Sequence, residues 1–502
     1  MNRRKQSLLN AVIALFSEAV VALVGFWLPQ AIIVNYGSKA NGLITSLQQL
    51  MQYFILIEAG LSGAAVFSLY KPLAENDTNQ IQRILFSARR MYSKIGWVFV
   101  LLVVLTSVVY PVLIADTGYP NWMVSVLFCL IGLNGATQLL FIGKYKVLLN
   151  ASQNNRYVVF LNAMSTCLFS LTIILIANLK AHFIVAVGLG CMAYLVRAFC
   201  YWLVVRKLFP QYGYRDNSEP YQFKNQKEVF IQQILSLLVM NSSILILSFS
   251  KTDMTEISVF TVYNMILTAV FMLMNSIHNG VSAGFGDLIA RNDLPKLQST
   301  YAEYEAVYQV FWTVVFSCVS ALYLPFIAIY SQKFTDAVYV RPTLCVLFSI
   351  LGAVWSVRIQ QSVLIVAAGK FKEIQRGSII EAVLAVLLSA VGLMIWGLEG
   401  MMIGRVIAAL YRMVDFIRLS HRQVLKIKLR VTFKGIILST VLILLVNLAT
   451  VWVSNQIPID TYVKWGLFAL VIAVVSLIMA LIGHMLLYRE QARVIIRKYI
   501  KK

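Results

Sequence analysis

Runs of twenty or more apolar residues, separated by polar connections, recur from one end of this chain to the other. An α-helix needs about twenty such residues to cross a bilayer core about 30 Å thick. The pattern predicts fourteen membrane-spanning helices, over residues 8–34, 41–70, 91–113, 122–142, 157–178, 182–205, 229–250, 256–284, 305–330, 342–366, 376–396, 399–419, 434–454 and 464–487. The longest connections, 71–90, 206–228, 285–304 and 420–433, all fall on one side of that parse. Those on the other side are short and leave no room for an external domain. Within 71–90, Ile81, Ile84, Leu85 and Ala88 recur at helical spacing opposite Arg83, Arg89 and Arg90. That spacing predicts an amphipathic helix lying in the inner headgroup layer, with a role in orientation or hinging.

An internal repeat stands at an offset of 216 residues: Leu73-Ala74-Glu75-Asn76-Asp77 aligns with Ile289-Ala290-Arg291-Asn292-Asp293, and Tyr92 with Tyr308. The same offset sets Thr45, Gln48, Gln52, Ala59, Ser62 and Gly63 on Thr261, Asn264, Thr268, Asn275, His278 and Asn279. Each set keeps to one arc of its helix, a polar or small stripe that escapes lipid by facing a water-accessible cavity. Close packing through small and hydroxyl side chains is the competing reading. Six helices per repeat is an even number, so both halves enter from the same side and are related by a pseudo-two-fold along the membrane normal. The expected architecture is all-α and polytopic: a six-helix bundle at 1–205, a cytosolic linker at 206–228, a second bundle at 229–419, and a terminal hairpin with a basic tail at 420–502.

Charge fixes the orientation. The chain carries 43 Lys and Arg against 21 Asp and Glu, a net +22. Most of the basic residues lie in the odd-numbered gaps and the tails. Lys39, Lys180, Lys251, Lys333, Arg341 and Lys464 fall in the opposite gaps. By the positive-inside bias both termini are cytosolic, and the excess charge meets anionic lipid rather than nucleic acid. A chain that is 60% hydrophobic and 13% charged is not a soluble domain. Arg3, Arg4 and Lys5 precede a run too long for a signal peptide, which reads as a retained first helix. The six cysteines lie in or beside spans, with no CxxC pair, and imply no disulfide framework.

Ionisable groups inside spans are the functional candidates, because a charge at mid-bilayer costs about 3 kcal/mol or more unless solvated or paired. Glu18 and Glu58 flank the first turn symmetrically and are expected at one depth. They are candidates for ion coupling or gating. Arg358, Arg197 and Arg405 are the candidates for an anionic headgroup. For Arg358 the alternative is a fixed ion pair with a glutamate. Arg197 and Arg405 could instead reach toward headgroups at the near surface. Glu381 and Arg412 read as a structural pair on adjacent helices, and Asp415 as solvated. Gln48, Gln52, Asn264, Thr268, Asn275 and His278 are the expected polar cavity lining.

No phosphate-binding GxxxxGK[ST] loop, GxSxG elbow, HExxH or metal-spaced Cys/His set occurs. These absences argue for a secondary-type transporter and against catalysis, with no cofactor beyond a coupling proton or sodium ion. The run Asn35-Tyr36-Gly37-Ser38 to Asn41-Gly42, then Gln48, Gln49 and Glu58-Ala59-Gly60-Leu61-Ser62, resembles the polysaccharide-biosynthesis (Wzx-type) flippases. That family lies in the superfamily that also holds multidrug exporters and lipid II flippases. The resemblance implies inversion of an undecaprenyl-pyrophosphate-linked oligosaccharide in a bacterial plasma membrane, by alternating access of two bundles. It further implies membrane lipids, a polysaccharide polymerase and glycosyltransferases as partners, and a capsule or exopolysaccharide as product. A lipid II flippase, a drug exporter and a membrane-embedded polysaccharide polymerase or ligase are the alternatives.

Overall fold

The structure is a computed structural model describing residues 3–114, 117–212, 221, 226–250, 252–454 and 459–488. The described residues are helical throughout, without a strand. The chain divides into two compact units, Met1–Thr261 and Val262–Lys502.

Unit 1 contains α1 (Arg3–Tyr36), α2 (Ser38–Ile55), α3 (Ala59–Glu75), α4 (Thr78–Leu113), α5 (Asn121–Thr137), α6 (Gly143–Ala151), α7 (Asn155–Asn178), α8 (Phe183–Leu208), α9 (Gln226–Phe249) and the start of α10 (Met254–Ala290). The unit boundary falls inside α10, whereas the sequence sets its linker at 206–228, where residues 213–220 and 222–225 lie outside the described residues. Polar contacts tie α9 and the first turns of α10 to α2. Asn41 Nδ2 donates to Ser258 Oγ at 2.8 Å, and the Ser46 and Ser248 hydroxyls meet at 2.6 Å.

Unit 2 holds the rest of α10 with α11 (Leu294–Tyr330), α12 (Pro342–Ala367), α13 (Phe371–Leu419), α14 (Arg430–Ser454) and α15 (Tyr462–Leu487). The α14–α15 hairpin packs on α11, and α12 packs on α13. α13 folds back on itself at Trp396 and Gly397, so its two legs run over the apolar segments 376–396 and 399–419. Gly397 sits at φ 64° and ψ −144°, a region open in practice only to glycine. Gly397→Ala is therefore expected to cost about 1–3 kcal/mol. A melting temperature of the detergent-solubilised variant equal to that of the parent would contradict this.

Eleven helices among the described residues are long and apolar enough to cross a membrane. The chain is a multi-pass membrane protein. Three local features separate that number from the fourteen apolar segments. The second segment breaks at Leu56–Glu58, the seventh is continuously apolar only over Ile234–Phe249, and the two legs of α13 follow one another through the kink with no loop between them.

The segment at 71–90 differs from its expectation. Its helix runs straight into the third span as α4, and Ile81, Ile84, Leu85 and Ala88 are all 0% exposed. Their apolar face is buried by protein and is not left open to lipid headgroups. Helical periodicity reports that one face is shielded from water and is silent on what shields it. The repeat at offset 216 has a structural counterpart. Asn76 and Asn292 both adopt positive φ, at 55° and 54°. Asp77 and Asp293 each cap the next helix, accepting from Gln80 N at 3.0 Å and Lys296 N at 3.1 Å. Asparagine tolerates the left-handed conformation and aspartate satisfies a free helix N–H, so the same Asn-Asp pair turns the chain in both units.

Candidate functional site

The 3₁₀ turn Leu56–Glu58 separates α2 from α3, and the Glu58 side chain is buried there at 4% exposure. Its two oxygens are held by neutral donors: Tyr92 OH of α4 donates to Oε1 at 3.1 Å, and Gln138 Nε2 donates to Oε2 at 3.0 Å. Gln138 opens a π-helical segment, Gln138–Ile142, between α5 and α6. Single π-turns of this kind are enriched at functional sites. Gly143 follows it, and a Cβ there would stand 2.4 Å from the Tyr92 ring. The glycine is what lets the tyrosine lie against α6 and reach the carboxylate.

Glu58 opens onto a cavity of about 420 Å³ lined also by Gln52, Ser62, Gly63, Gln138 and Lys146. Gln52 Oε1 accepts from Gln49 Nε2 and from Asn241 Nδ2, both at 3.3 Å. Three residues of the first stripe, Gln52, Ser62 and Gly63, thus line one polar cavity. Gln48 is half-buried one turn away and is not part of the lining. No ion pair reaches Glu58 among the described residues. Glu58 is thus a buried carboxylate held by two neutral donors at the wall of a polar cavity. Glu18 is exposed on α1 and has no ion pair with a described residue.

The repeat makes the Glu58 site specific to unit 1. Tyr308, the counterpart of Tyr92, donates to Ser356 O at 2.7 Å and contacts Met274 Sδ at 3.7 Å. Met274 stands at the same offset from Glu58. A thioether replaces the carboxylate, and α10 passes through that position unbroken. On the second stripe Asn264 is half-buried, while Thr268 and Asn275 are exposed. Thr268 Oγ1 donates to its own helix at Asn264 O, 2.8 Å away. The side chain of His278 lies outside the described residues.

Of the three arginines, Arg197 on α8 is buried at 6% exposure, and its NH2 donates to Asn134 Oδ1 of α5 at 2.7 Å. Its guanidinium also lies 5.6 Å from the Tyr194 ring centre. The partners are neutral, and no carboxylate pairs with it among the described residues. Arg358 on α12 is paired instead: its NH1 donates to Glu381 Oε1 at 2.5 Å. The glutamate is therefore on α13, within the same unit, and is neither Glu18 nor Glu58. Arg412, 0% exposed, completes the cluster. Its Nε stands 3.3 Å from Glu381 Oε2, its NH1 donates to Asp415 Oδ2 at 2.6 Å, and its NH2 donates to Ile374 O and Ser378 Oγ at 2.8 and 2.7 Å. Two guanidinium groups face two carboxylates, so the cluster is neutral overall. Arg405 is buried on the second leg of α13.

No family model matches the chain, and no curated protein matches it by sequence. Solved structures do match. A lipid II flippase, MurJ, in its inward closed conformation superposes with a TM-score of 0.68 at 12% identity, over 96% of this chain and 99% of that one. An inward-facing multidrug resistance MATE transporter gives 0.66 at 11% identity, over 84% and 99%. The MATE multidrug transporter DinF-BH gives 0.59 at 16% identity, over 85% and 98%. The chain shares the fold of these flippase and MATE transporter structures.

Within this fold, sequence reasoning found Glu58 and missed the residues that hold it. Tyr92 had surfaced only as a repeat match, and Gln138 and Lys146 carried no signal of their own. It also missed a buried polar row on α11, Glu305, Gln309, Thr313 and Ser317, each at most 1% exposed. The row faces the terminal hairpin: Ser439 of α14 donates to Gln309 Oε1 at 3.0 Å and lies 2.9 Å from His484 Nε2 of α15. The four-residue spacing was available in the sequence as a sign of a polar helix face.

Proposed function

We propose that this protein is a flippase that moves a lipid-linked oligosaccharide, carried on a polyprenyl pyrophosphate, from the inner to the outer leaflet by alternating access. The observation that carries this reading is the buried Arg197. A guanidinium enclosed by protein and answered, among the described residues, by the side-chain amide and backbone carbonyl of Asn134 and by the Tyr194 ring has charge left for an anionic ligand, and pyrophosphate matches its fork of donors. The extent of the likeness supports a lipid-linked substrate: the flippase match runs over 96% of the chain, the exporter matches over 84 to 87%. On this reading the protein spans the membrane fourteen times with both termini cytosolic, and works with a polymerase and glycosyltransferases. It is not an enzyme. Arg405 and the open face of Arg358 are secondary headgroup contacts, and Glu58 takes the coupling proton or sodium ion.

The test is the leaflet location of lipid-linked oligosaccharide in cells lacking the protein, read with a membrane-impermeant probe on intact cells and on inverted vesicles. Complete units trapped on the cytosolic face support the proposal, and their mass gives the glycan. Units gathered on the outer face would point to a polymerase or ligase, and no accumulation to drug export. Arg197→Ala is expected to lower flipping at least about tenfold at unchanged abundance, the size of one lost charge-assisted bond. Arg197→Lys should recover only part, because an ammonium cannot hold Asn134 and a phosphate in one plane. Parental flipping by Arg197→Ala would remove the headgroup role.

A further inference from the structure

Unit 2 buries a polar network that the proposed site does not use. Thr432, on the first turn of α14, donates its hydroxyl to Glu305 Oε1 of α11 and lies 2.8 Å from His421 Nε2, in the π-turn that follows α13. His421 Nδ1 stands 3.0 Å from Ser420 Oγ, Ser420 donates to Gln361 Oε1 of α12 at 2.6 Å, and Gln361 Nε2 donates to Tyr301 OH of α11 at 2.8 Å. Glu305 is 1% exposed and the other five side chains are 0% exposed.

The hydrogens along the chain of contacts depend on which way the Gln361 amide faces. With the Gln361 amide nitrogen turned to Tyr301, its oxygen takes the single hydroxyl hydrogen of Ser420. His421 Nδ1 faces the Ser420 oxygen and so carries a hydrogen itself. Thr432 also has one hydrogen, but it stands between two groups that accept when deprotonated, His421 Nε2 and the Glu305 carboxylate. With the amide in that orientation, both contacts can exist together only with one further proton. That proton sits on the Glu305 carboxyl, which then donates to Thr432 while Thr432 donates to Nε2. Alternatively it sits on Nε2, which donates to Thr432 while Thr432 donates to Glu305. The two forms interconvert by shifting hydrogens across one hydroxyl oxygen. Without that proton the amide turns over, Ser420 donates to Nδ1, Nε2 donates to Thr432 and Thr432 to Glu305. The glutamate then stays a buried carboxylate with no cation beside it among the described residues, and that is costly.

The surroundings supply no substitute charge. Tyr301 and Tyr304 from α11 and Tyr488 beyond α15 are the titratable neighbours. His484 of α15 is engaged with Ser439. Arg418, Arg422, Lys426, Lys428, Arg430 and Lys434 on the adjoining segments are all exposed, and none pairs with Glu305 among the described residues.

We infer that Glu305, Thr432 and His421 together bind one proton, at a site in unit 2 separate from Glu58. Given the transport reading above, this proton is a coupling ion, because it holds α14 to α11 and to the turn after α13 at once.

The full-length protein in lipid nanodiscs would be titrated by infrared difference spectroscopy, alongside Glu305→Gln, His421→Gln and Glu58→Gln. The expected result is a buried carboxyl signal that disappears in Glu305→Gln, persists in Glu58→Gln, and moves its midpoint by about one pH unit or more in His421→Gln, a tenfold change in proton affinity. A titration unchanged by both Glu305→Gln and His421→Gln overturns the site. Should Glu305→Gln not fold, an unmoved midpoint in His421→Gln overturns it alone. No transport is measured in that experiment, so failure of the flippase reading leaves its outcome intact. Coupling is read separately in proteoliposomes with a fluorescent polyprenyl-pyrophosphate-linked disaccharide. An imposed pH gradient should speed its movement by the parent and not by Glu305→Gln; equal acceleration overturns the coupling role.

Discussion

Arg412→Met is expected to destabilise the protein by about 3–5 kcal/mol, the range seen when one partner of a buried ion pair is removed. The arginine has no exposed surface and serves four groups from one planar fork: Glu381, Asp415, the carbonyl of Ile374 and the hydroxyl of Ser378. Its loss leaves Glu381, at 2% exposure, to Arg358 alone. A methionine fills the volume and lies against Phe416, whose ring is 4.3 Å from the guanidinium, but offers no donor. Arg412→Lys should recover less than half of the loss, since an ammonium cannot reach acceptors spread around a guanidinium. Gly377→Ala should fail in the same way, because a Cβ there would stand 1.8 Å from Arg412 NH1. The readout is the melting temperature in detergent and the abundance in membranes. A methionine variant as stable as the parent would show that the cluster is solvated and that its pairing contributes little.

Glu58→Gln is expected to leave the fold intact and reduce transport at least about tenfold, because it removes a buried carboxylate that no cation pairs with among the described residues. Glutamine keeps an acceptor for Tyr92, and Gln138 can turn its own amide to accept from the new nitrogen. Glu58→Ala differs. It strands the Tyr92 hydroxyl and the Gln138 amide beside the cavity, with an added stability cost of about 1–3 kcal/mol. Comparing the two variants at matched abundance separates a protonation role from a packing role. Equal transport by the parent and Glu58→Gln would assign Glu58 to structure. Met274→Glu, at the repeat-related position, should not restore activity to Glu58→Gln, since Tyr308 there is engaged with Ser356 and no break in α10 opens a cavity.

The sequence alone determined the helical class, the succession of apolar segments and the Asn-Asp corner shared by the two units. Each of these depends on local physics: the length of an apolar run, the tolerance of asparagine for positive φ, the capping of a helix by aspartate. It also marked Glu58, Arg197, Arg358 and the Glu381–Arg412 pair, because charge inside an apolar run is visible without coordinates. Which charge answers which was decided only by tertiary structure. Arg358 is met by Glu381 and Arg197 by an amide, and no spacing rule distinguishes those outcomes, since each partner lies on another helix. The face at Ile81, Ile84, Leu85 and Ala88 taught the same lesson, as periodicity showed it was shielded and only packing showed that protein, not lipid, does the shielding. The network from Glu305 to Tyr301 left the faintest trace. Its six members lie on four different segments, and most of their hydrogen bonds exist only where the fold brings those segments together.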